Sequence, residues 1–203
     1  MKTLIVKYLP SGANSNTKKL VDFFEQQISG DVEVLDLLKN PAPLFDENSM
    51  QSYYKRNYGS QKLNDFEAKL LEKNDKLIAQ LKSADIWVMA APMHNFGMPA
   101  AMKAYLDAVI FNGETFEMGK KMMAGKKALC LYTSGGNYAH DKFDFNYPNW
   151  DGFTFNAKIN FGFMGFDDSE VICTSLRDEK TKEKNLNEAQ EKIQQVVKKF
   201  YKN

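Results

Sequence analysis

Cysteine, long apolar runs and an excess of charge are all scarce in this 203-residue chain, and each shortage closes off a class of protein. The two cysteines, Cys130 and Cys173, stand alone inside apolar runs, too few for a disulfide framework or a zinc site. They read as reduced core residues, which points to the cytoplasm and to no metal centre. No apolar stretch approaches the length that spans a bilayer. Met1-Lys2-Thr3-Leu4-Ile5-Val6 opens directly into a strand where a secretory leader would carry a longer apolar segment. Lysine and arginine number 27 against 26 aspartates and glutamates, a net charge of +1 with both signs interspersed. Neither nucleic acid nor an acidic membrane surface is therefore an expected partner. With 43% apolar and 26% charged residues, the composition is that of a globular protein and excludes disordered and fibrous classes.

What is present is a regular alternation of strand and helix. Thr3 to Tyr8 is a β-branched run stopped by Leu9-Pro10-Ser11-Gly12. A helix is expected from near Ser15, with Leu20, Phe23, Phe24 and Ile28 on one face and Gly30-Asp31 as its end. Val32 to Leu37 reads as a second strand. From Pro41 to about Leu63 the chain is polar and irregular, a long loop of the kind that is either functional or a flexible lid. Phe66, Leu70, Leu71, Ile78 and Leu81 mark a long amphipathic helix, and Asp85 to Ala91 is a strand buried on both faces. Ala100 to Phe111 reads as a helix, Lys127 to Thr133 as a strand, Trp150 to Phe163 as a helix and Glu170 to Thr174 as a strand. A last helix runs from about Glu179 to Tyr201. No repeat or linker interrupts the pattern, so residues 1–203 are expected to form one domain.

Strands joined by helices become parallel neighbours through right-handed crossovers. The expectation is therefore an α/β fold: a doubly wound, five-stranded parallel sheet of order 2-1-3-4-5, flavodoxin-like, in three layers. Such sheets bind ligands outside the carboxyl ends of their strands, near the point where the winding reverses. That rule selects three loops. Leu9 to Thr17 (LPSGANSNT) opens into a helix whose first N–H groups and dipole attract an anion, with Ser15, Asn16 and Thr17 as further donors. Ser15 as a plain helix cap is an equally good reading of the same residues. Pro92 to Pro99 (PMHNFGMP) offers flat apolar surface from Met93 and Phe96, with polar groups from His94 and Asn95, as a planar ring would need. Thr133 to His140 (TSGGNYAH) places Gly135 and Gly136 just after a buried strand, where bare amides can meet negative charge. Paired glycines are also ordinary in turns. Tyr138 and His140 are candidate polar contacts for a ring or second substrate.

Ala91 to Asp107, APMHNFGMPAAMKAYLD, resembles the A-P-M-Y-N-F-x-x-P-x-x-L-K-x-Y-x-D pattern of the FMN-dependent NADH-azoreductases, within the wider flavodoxin-like quinone reductases. Thr115-Phe116, Gly125-Lys126-Lys127, Ser134-Gly135-Gly136 and Phe161-Gly162-Phe163-Met164-Gly165 add to the likeness, in order along nearly the whole chain. The resemblance implies that Ser15, Asn16 and Thr17 hold the phosphate of FMN. It implies that Pro92, Met93, His94, Asn95 and Phe96 line its ring system, and that Ser134, Gly135 and Gly136 meet the ring's edge. It also implies a homodimer with FMN at the subunit interface. Two positions depart from the pattern: His94 stands where the family usually has tyrosine, and Leu9 where some members have a small hydroxyl residue. Phe143 to Phe166 is also richer in aromatics than the family pattern.

The activity implied is a ping-pong hydride relay through flavin N5, from NADH or NADPH to quinones or azo compounds, with the protein supplying position and electrostatics. No side-chain acid is required, because water or a loop residue such as His140 can protonate the product; His94, Tyr138 and His140 are the catalytic candidates. Two rivals share the fold. A flavodoxin-type electron carrier would dock through a strongly acidic surface, which a net charge of +1 does not supply. A non-flavin binding domain would take up no FMN, and fold alone does not separate it from the others.

Overall fold

Short apolar runs become the central strands of one sheet. The structure is a computed structural model, and it describes residues 1–136, 138 and 150–201. Strands β1 (Lys2–Lys7), β3 (Ile86–Pro92) and β4 (Lys127–Ser134) are buried almost end to end. Strands β2 (Asp31–Asp36) and β5 (Asp168–Ser175) are more exposed. The spatial order is β2-β1-β3-β4-β5, and every pairing is parallel. Burial therefore decreases outward from the three central strands to the two edges, as the unbroken apolar runs require.

Successive residues of a strand point to opposite faces, so each central strand feeds two cores. Leu4, Val6, Trp87, Met89, Cys130 and Tyr132 pack on one face against α3 (Asp65–Ser83), α4 (Ala100–Val109) and α5 (Gly152–Met164). Ile5, Val88, Ala90, Leu129 and Leu131 face α1 (Asn16–Gln27) and α6 (Lys182–Tyr201) on the other. Three layers result. Both cysteines are free, Cys130 in the core and Cys173 partly buried, and burial pushes each thiol above its ordinary pKa. Among the described residues, no helix is long and apolar enough to cross a membrane.

The stretch from Pro41 to Leu63 is not a loop. It contains α2 (Glu47–Asn57), begun by a reciprocal cap in which the Ser49 N–H donates to Asp46 Oδ1 at 2.8 Å and the Asp46 N–H donates to Ser49 Oγ at 2.9 Å. Only Ser49, Ser52 and Tyr53 of this helix are buried, so no apolar stripe reveals it in the sequence. Tyr53 anchors it, with its ring 4.4 Å from that of Phe111 and its hydroxyl accepting from the Asn112 N–H. Strand β5 runs longer than its apolar centre suggests, because it pairs with β4 from Lys127↔Asp168 to Ser134↔Ser175. The last helix starts at Lys182 because a turn held by Asp178 precedes it.

Gly165 closes α5 in the left-handed region at φ 81°, donating its N–H to the Gly162 and Phe161 carbonyls. A Cβ there would stand 2.5 Å from Lys121 Cα, inside the contact that joins Met123 N–H to the Met164 carbonyl at 3.0 Å. Gly165→Ala is expected to lower stability by at least about 1–2 kcal/mol, the usual cost of that conformation for a residue with a Cβ. Urea unfolding measures it, and an unchanged midpoint would show that the Lys121 segment yields freely.

Candidate functional site

The winding reverses between β1 and β3, and their carboxyl ends lie side by side with that of β4. Register sets the alignment: Lys7 pairs with Ala90, and Pro92 with Thr133. All three loops chosen from the sequence start from this edge.

The first loop leaves β1 through Leu9, which is buried, and makes a single 3-10 turn over Gly12–Asn14 before α1. Ser15 is the N-cap of α1, and its Oγ accepts from the Lys18 N–H at 3.2 Å. That bond uses the oxygen as an acceptor and leaves the hydroxyl proton for another partner. Asn16 is half-buried, and its Oδ1 accepts from Lys19 Nζ. Thr17 is placed differently from its neighbours. It is completely buried, and its Oγ1 lies 2.8 Å from Thr133 Oγ1. Its hydroxyl therefore ties α1 to β4 from beneath and does not face outward.

The second loop begins where Pro92, which has no N–H, ends the β3 ladder. Met93 N–H donates to the Thr133 carbonyl at 2.7 Å. His94 and Gly97 exchange backbone bonds of 3.0 and 2.9 Å, closing a turn whose central residues Asn95 and Phe96 have φ of 46° and 66°. Positive φ at both central positions defines a primed turn, normally the place of asparagine and glycine. Asparagine suits it; phenylalanine does not, and the strain at Phe96 is of the order of 1–2 kcal/mol. Phe96 is held from three sides. Its ring meets Tyr138 edge-on at 5.2 Å and Trp150 at 5.1 Å, and its carbonyl accepts the Gly152 N–H at 3.0 Å. His94 is exposed and lies edge-on to Tyr8 at 6.1 Å.

The third loop follows β4. The Ser134 hydroxyl donates to the Gly136 carbonyl at 2.6 Å and so fixes the Gly135-Gly136 turn. A Cβ built at either glycine would lie 3.5 Å from the Tyr138 hydroxyl, an ordinary contact. Tyr138 thus lies against the glycine turn while its ring packs on Phe96, joining the second and third loops. His140 and residues 143–149 of the aromatic segment lie outside the described residues. The remainder of that segment divides: Phe153, Phe161 and Phe166 are core, whereas Trp150, Phe155 and Phe163 are exposed.

Three residues that the loops did not reveal belong to the same neighbourhood. Arg177, just past β5, brings Nη1 to 3.8 Å from the position a Gly135 Cβ would take. Tyr132 and Asp151 are buried together, with the phenol oxygen 2.6 Å from both carboxylate oxygens. Aspartate before an apolar helix is a capping signal that the sequence does carry; nothing in it pairs that aspartate with Tyr132. These two, with Met93, Ser134, Tyr138 and Cys173, wall a polar cleft of about 380 Å³ beside the glycine turn. A second, apolar groove of about 570 Å³ lies between the segment before α2 and helices α4 and α5, lined by Leu44, Phe45, Met50, Ile110 and Phe163.

Comparison with known proteins places this geometry. A family model described as a flavodoxin-like fold matches residues 1–197. An FMN-dependent NADH:quinone oxidoreductase of Shewanella loihica is 30% identical over 205 residues, which cover 97% of this chain and 98% of that protein. A relative in Pseudomonas fluorescens, an FMN-dependent NADH:quinone oxidoreductase 2, is 32% identical over 207 residues, covering 97% and 99%. Among solved structures, an FMN-dependent NADH-azoreductase from Bacillus anthracis in complex with FMN matches over 100% of both chains, with a TM-score of 0.83 at 24% identity. The sheet order, the loops gathered at one edge and relatives that match from end to end agree: the chain belongs to the FMN-dependent NADH:quinone oxidoreductase family, on the flavodoxin-like fold.

Proposed function

We propose that this protein is an FMN-dependent NADH oxidoreductase that reduces quinones and azo compounds as a cytoplasmic homodimer. The observation that carries the reading is the convergence of three loops on Thr133. Its hydroxyl meets Thr17, its carbonyl accepts from Met93, and its strand continues into the glycine turn. One ligand with an anionic end and a flat ring would touch all three.

The donor set fits FMN with one change of role. Ser15 offers its hydroxyl proton, Asn16 its side-chain amide, and the first turn of α1 the backbone N–H groups that a helix leaves without an internal acceptor. Thr17 supports that turn through Thr133 and does not take a phosphate oxygen on its hydroxyl. Pro92, Met93, His94, Asn95 and Phe96 supply the wall for the ring, and Ser134, Gly135 and Gly136 its polar edge. Bound FMN supplies the hydride chemistry between nicotinamide and acceptor. The chain positions both reactants in turn on one open face, which gives ping-pong kinetics. Tyr138 holds Phe96 against the glycine turn and excludes water from that edge. The exposure of His94 beside Tyr8 supports it as a polar contact for the reactants. Two free thiols suit a reducing compartment.

The homodimer is supported by an apolar outer surface. Phe155, Ile159 and Phe163 recur every fourth residue along α5 and are 68%, 51% and 42% exposed. Leu44 and Met118 are 79% and 78% exposed, and Phe116 stacks on Phe163 at 4.6 Å. Contiguous apolar surface of this kind is seldom left in water.

Three outcomes test this reading. Purified protein should show flavin absorption bands and turn over NADH with benzoquinone; FMN-loaded protein without turnover on NADH or NADPH would leave only an electron carrier. Ser15→Ala should cost about 1 kcal/mol in stability as a lost cap and weaken FMN at least about tenfold; Thr17→Val should cost about 1–3 kcal/mol by leaving Thr133 unsatisfied and weaken FMN less. Equal FMN affinity in Ser15→Ala would make that serine a cap alone. Ile159→Asp should turn a dimer into a monomer in light scattering and lower turnover more than about tenfold; a variant that stays dimeric would move the interface elsewhere.

A further inference from the structure

The strained turn at His94–Gly97 does not hold itself. Its outer carbonyl, on Phe96, accepts the N–H of Gly152, the first residue of α5. Gly152 has no room for a side chain, since a Cβ there would lie 2.8 Å from the Phe96 oxygen. Whatever fixes the start of α5 therefore fixes the turn.

The residue just before Gly152 is Asp151, and it is docked into the sheet. Its carboxylate caps α5 by accepting the Thr154 N–H at 3.0 Å. It also receives the Tyr132 phenol at 2.6 Å, and Thr154 Oγ1 stands 2.8 Å from that phenol oxygen. A phenol has one proton. It is donated to Asp151, so the Thr154 hydroxyl donates to the phenol oxygen, and both bonds are satisfied. Burial, then the carboxylate itself, keeps the Tyr132 phenol well above its usual pKa, so it remains a donor at any physiological pH. The ring is clamped as well, stacked on Phe153 at 4.3 Å and 7°. Tyr132 stands one residue before Thr133, so the anchor for α5 is built into the strand that aligns the three loops.

We propose that Tyr132 and Asp151 are positioning residues for the flavin-facing turn: their contact sets where α5 begins, and Gly152 N–H then holds Phe96 in its left-handed conformation. Both act through the Gly152–Phe96 bond. The proposal rests on the reading that FMN binds at this edge. Its energetic basis is the strain at Phe96, which the turn sheds when Gly152 is released. A turn that spends only about a tenth of its time in the binding-competent form binds about tenfold more weakly, because apparent affinity scales with the competent fraction.

Tyr132→Phe removes the hydroxyl and keeps the ring on Phe153. It is expected to weaken FMN about tenfold in a fluorescence titration, to change the visible circular dichroism of the bound flavin, and to speed hydrogen exchange at the Gly152 amide by a similar factor. Asp151→Asn keeps the cap and an oxygen for the phenol proton, so its affinity should stay within about threefold of the parent. Gly152→Ala tests the other end of the chain of contacts in a variant that keeps Tyr132, and should also lose affinity while α5 stays helical. Unchanged FMN affinity, dichroism and Gly152 exchange in Tyr132→Phe would overturn the proposal. So would a lower melting temperature with unaltered affinity well below it, which would make the contact a structural prop only. Failure of the parent protein to take up FMN would instead sink the flavin reading, and the exchange rate at Gly152 would still report whether the clamp holds the turn.

Discussion

The hydrogen bond between the hydroxyls of Thr17 and Thr133 is the contact on which the site depends. A neutral pair of this kind contributes only about 0.5–1.5 kcal/mol to stability. Its importance lies in its position. Both residues are buried at the level where β4 is about to leave the sheet, and Thr133 also accepts from Met93 through its carbonyl. One residue thereby fixes the start of α1, the exit of β3 and the approach to the glycine turn. The parallel register delivers it there: Pro92 pairs with Thr133, and proline, lacking an N–H, ends the ladder so that Met93 can turn toward the same carbonyl.

Above this buried floor, the site stores strain. Phe96 adopts a conformation that phenylalanine normally avoids, and it is held by Tyr138, Trp150 and the Gly152 N–H. Strained backbone persists where the surroundings over-determine it, and such places gather at ligand sites. Two levels of support can be distinguished. Rings on the surface press on the Phe96 side chain, whereas the Tyr132–Asp151 contact works from the core through α5. The same helix presents Phe155, Ile159 and Phe163 outward. The element that holds the Phe96 turn is thus also the element with the apolar outer face.

Much of the fold is legible in the sequence because unbroken apolar runs such as Asp85 to Ala91 can only be central strands. The strand order then follows from crossover handedness and the place of the winding reversal. The helix over Glu47–Asn57 is hidden because it buries two serines and one tyrosine, which leave no apolar period to detect. The candidate loops could be read because small residues and glycines cluster after strands. The orientation of their side chains could not be. Thr17 and Ser15 look alike in sequence, yet one faces β4 and the other caps a helix, a difference fixed by packing against Thr133. Tyr132 and Asp151 are nineteen positions apart on different elements, and only the docking of α5 on the sheet brings them together.

The glycine turn shows how the site differs from ordinary structure. Neither Gly135 nor Gly136 has a positive φ, and a Cβ at either would make only ordinary contacts with Tyr138 and Arg177. Gly165 and Gly152 are different, because backbone atoms crowd the space that a side chain would need. At Gly135 and Gly136 the chain itself sets no such demand, although glycine costs about 0.5–1 kcal/mol in lost backbone freedom wherever alanine would fit. The turn is pinned by the Ser134 hydroxyl on the Gly136 carbonyl, with the Tyr138 phenol and the Arg177 guanidinium beside it. A glycine turn with a nearby cation suits a flat, electron-rich ring brought close to the backbone. On the proposed function the two glycines keep the backbone open to the ligand; their own conformation and contacts do not require glycine.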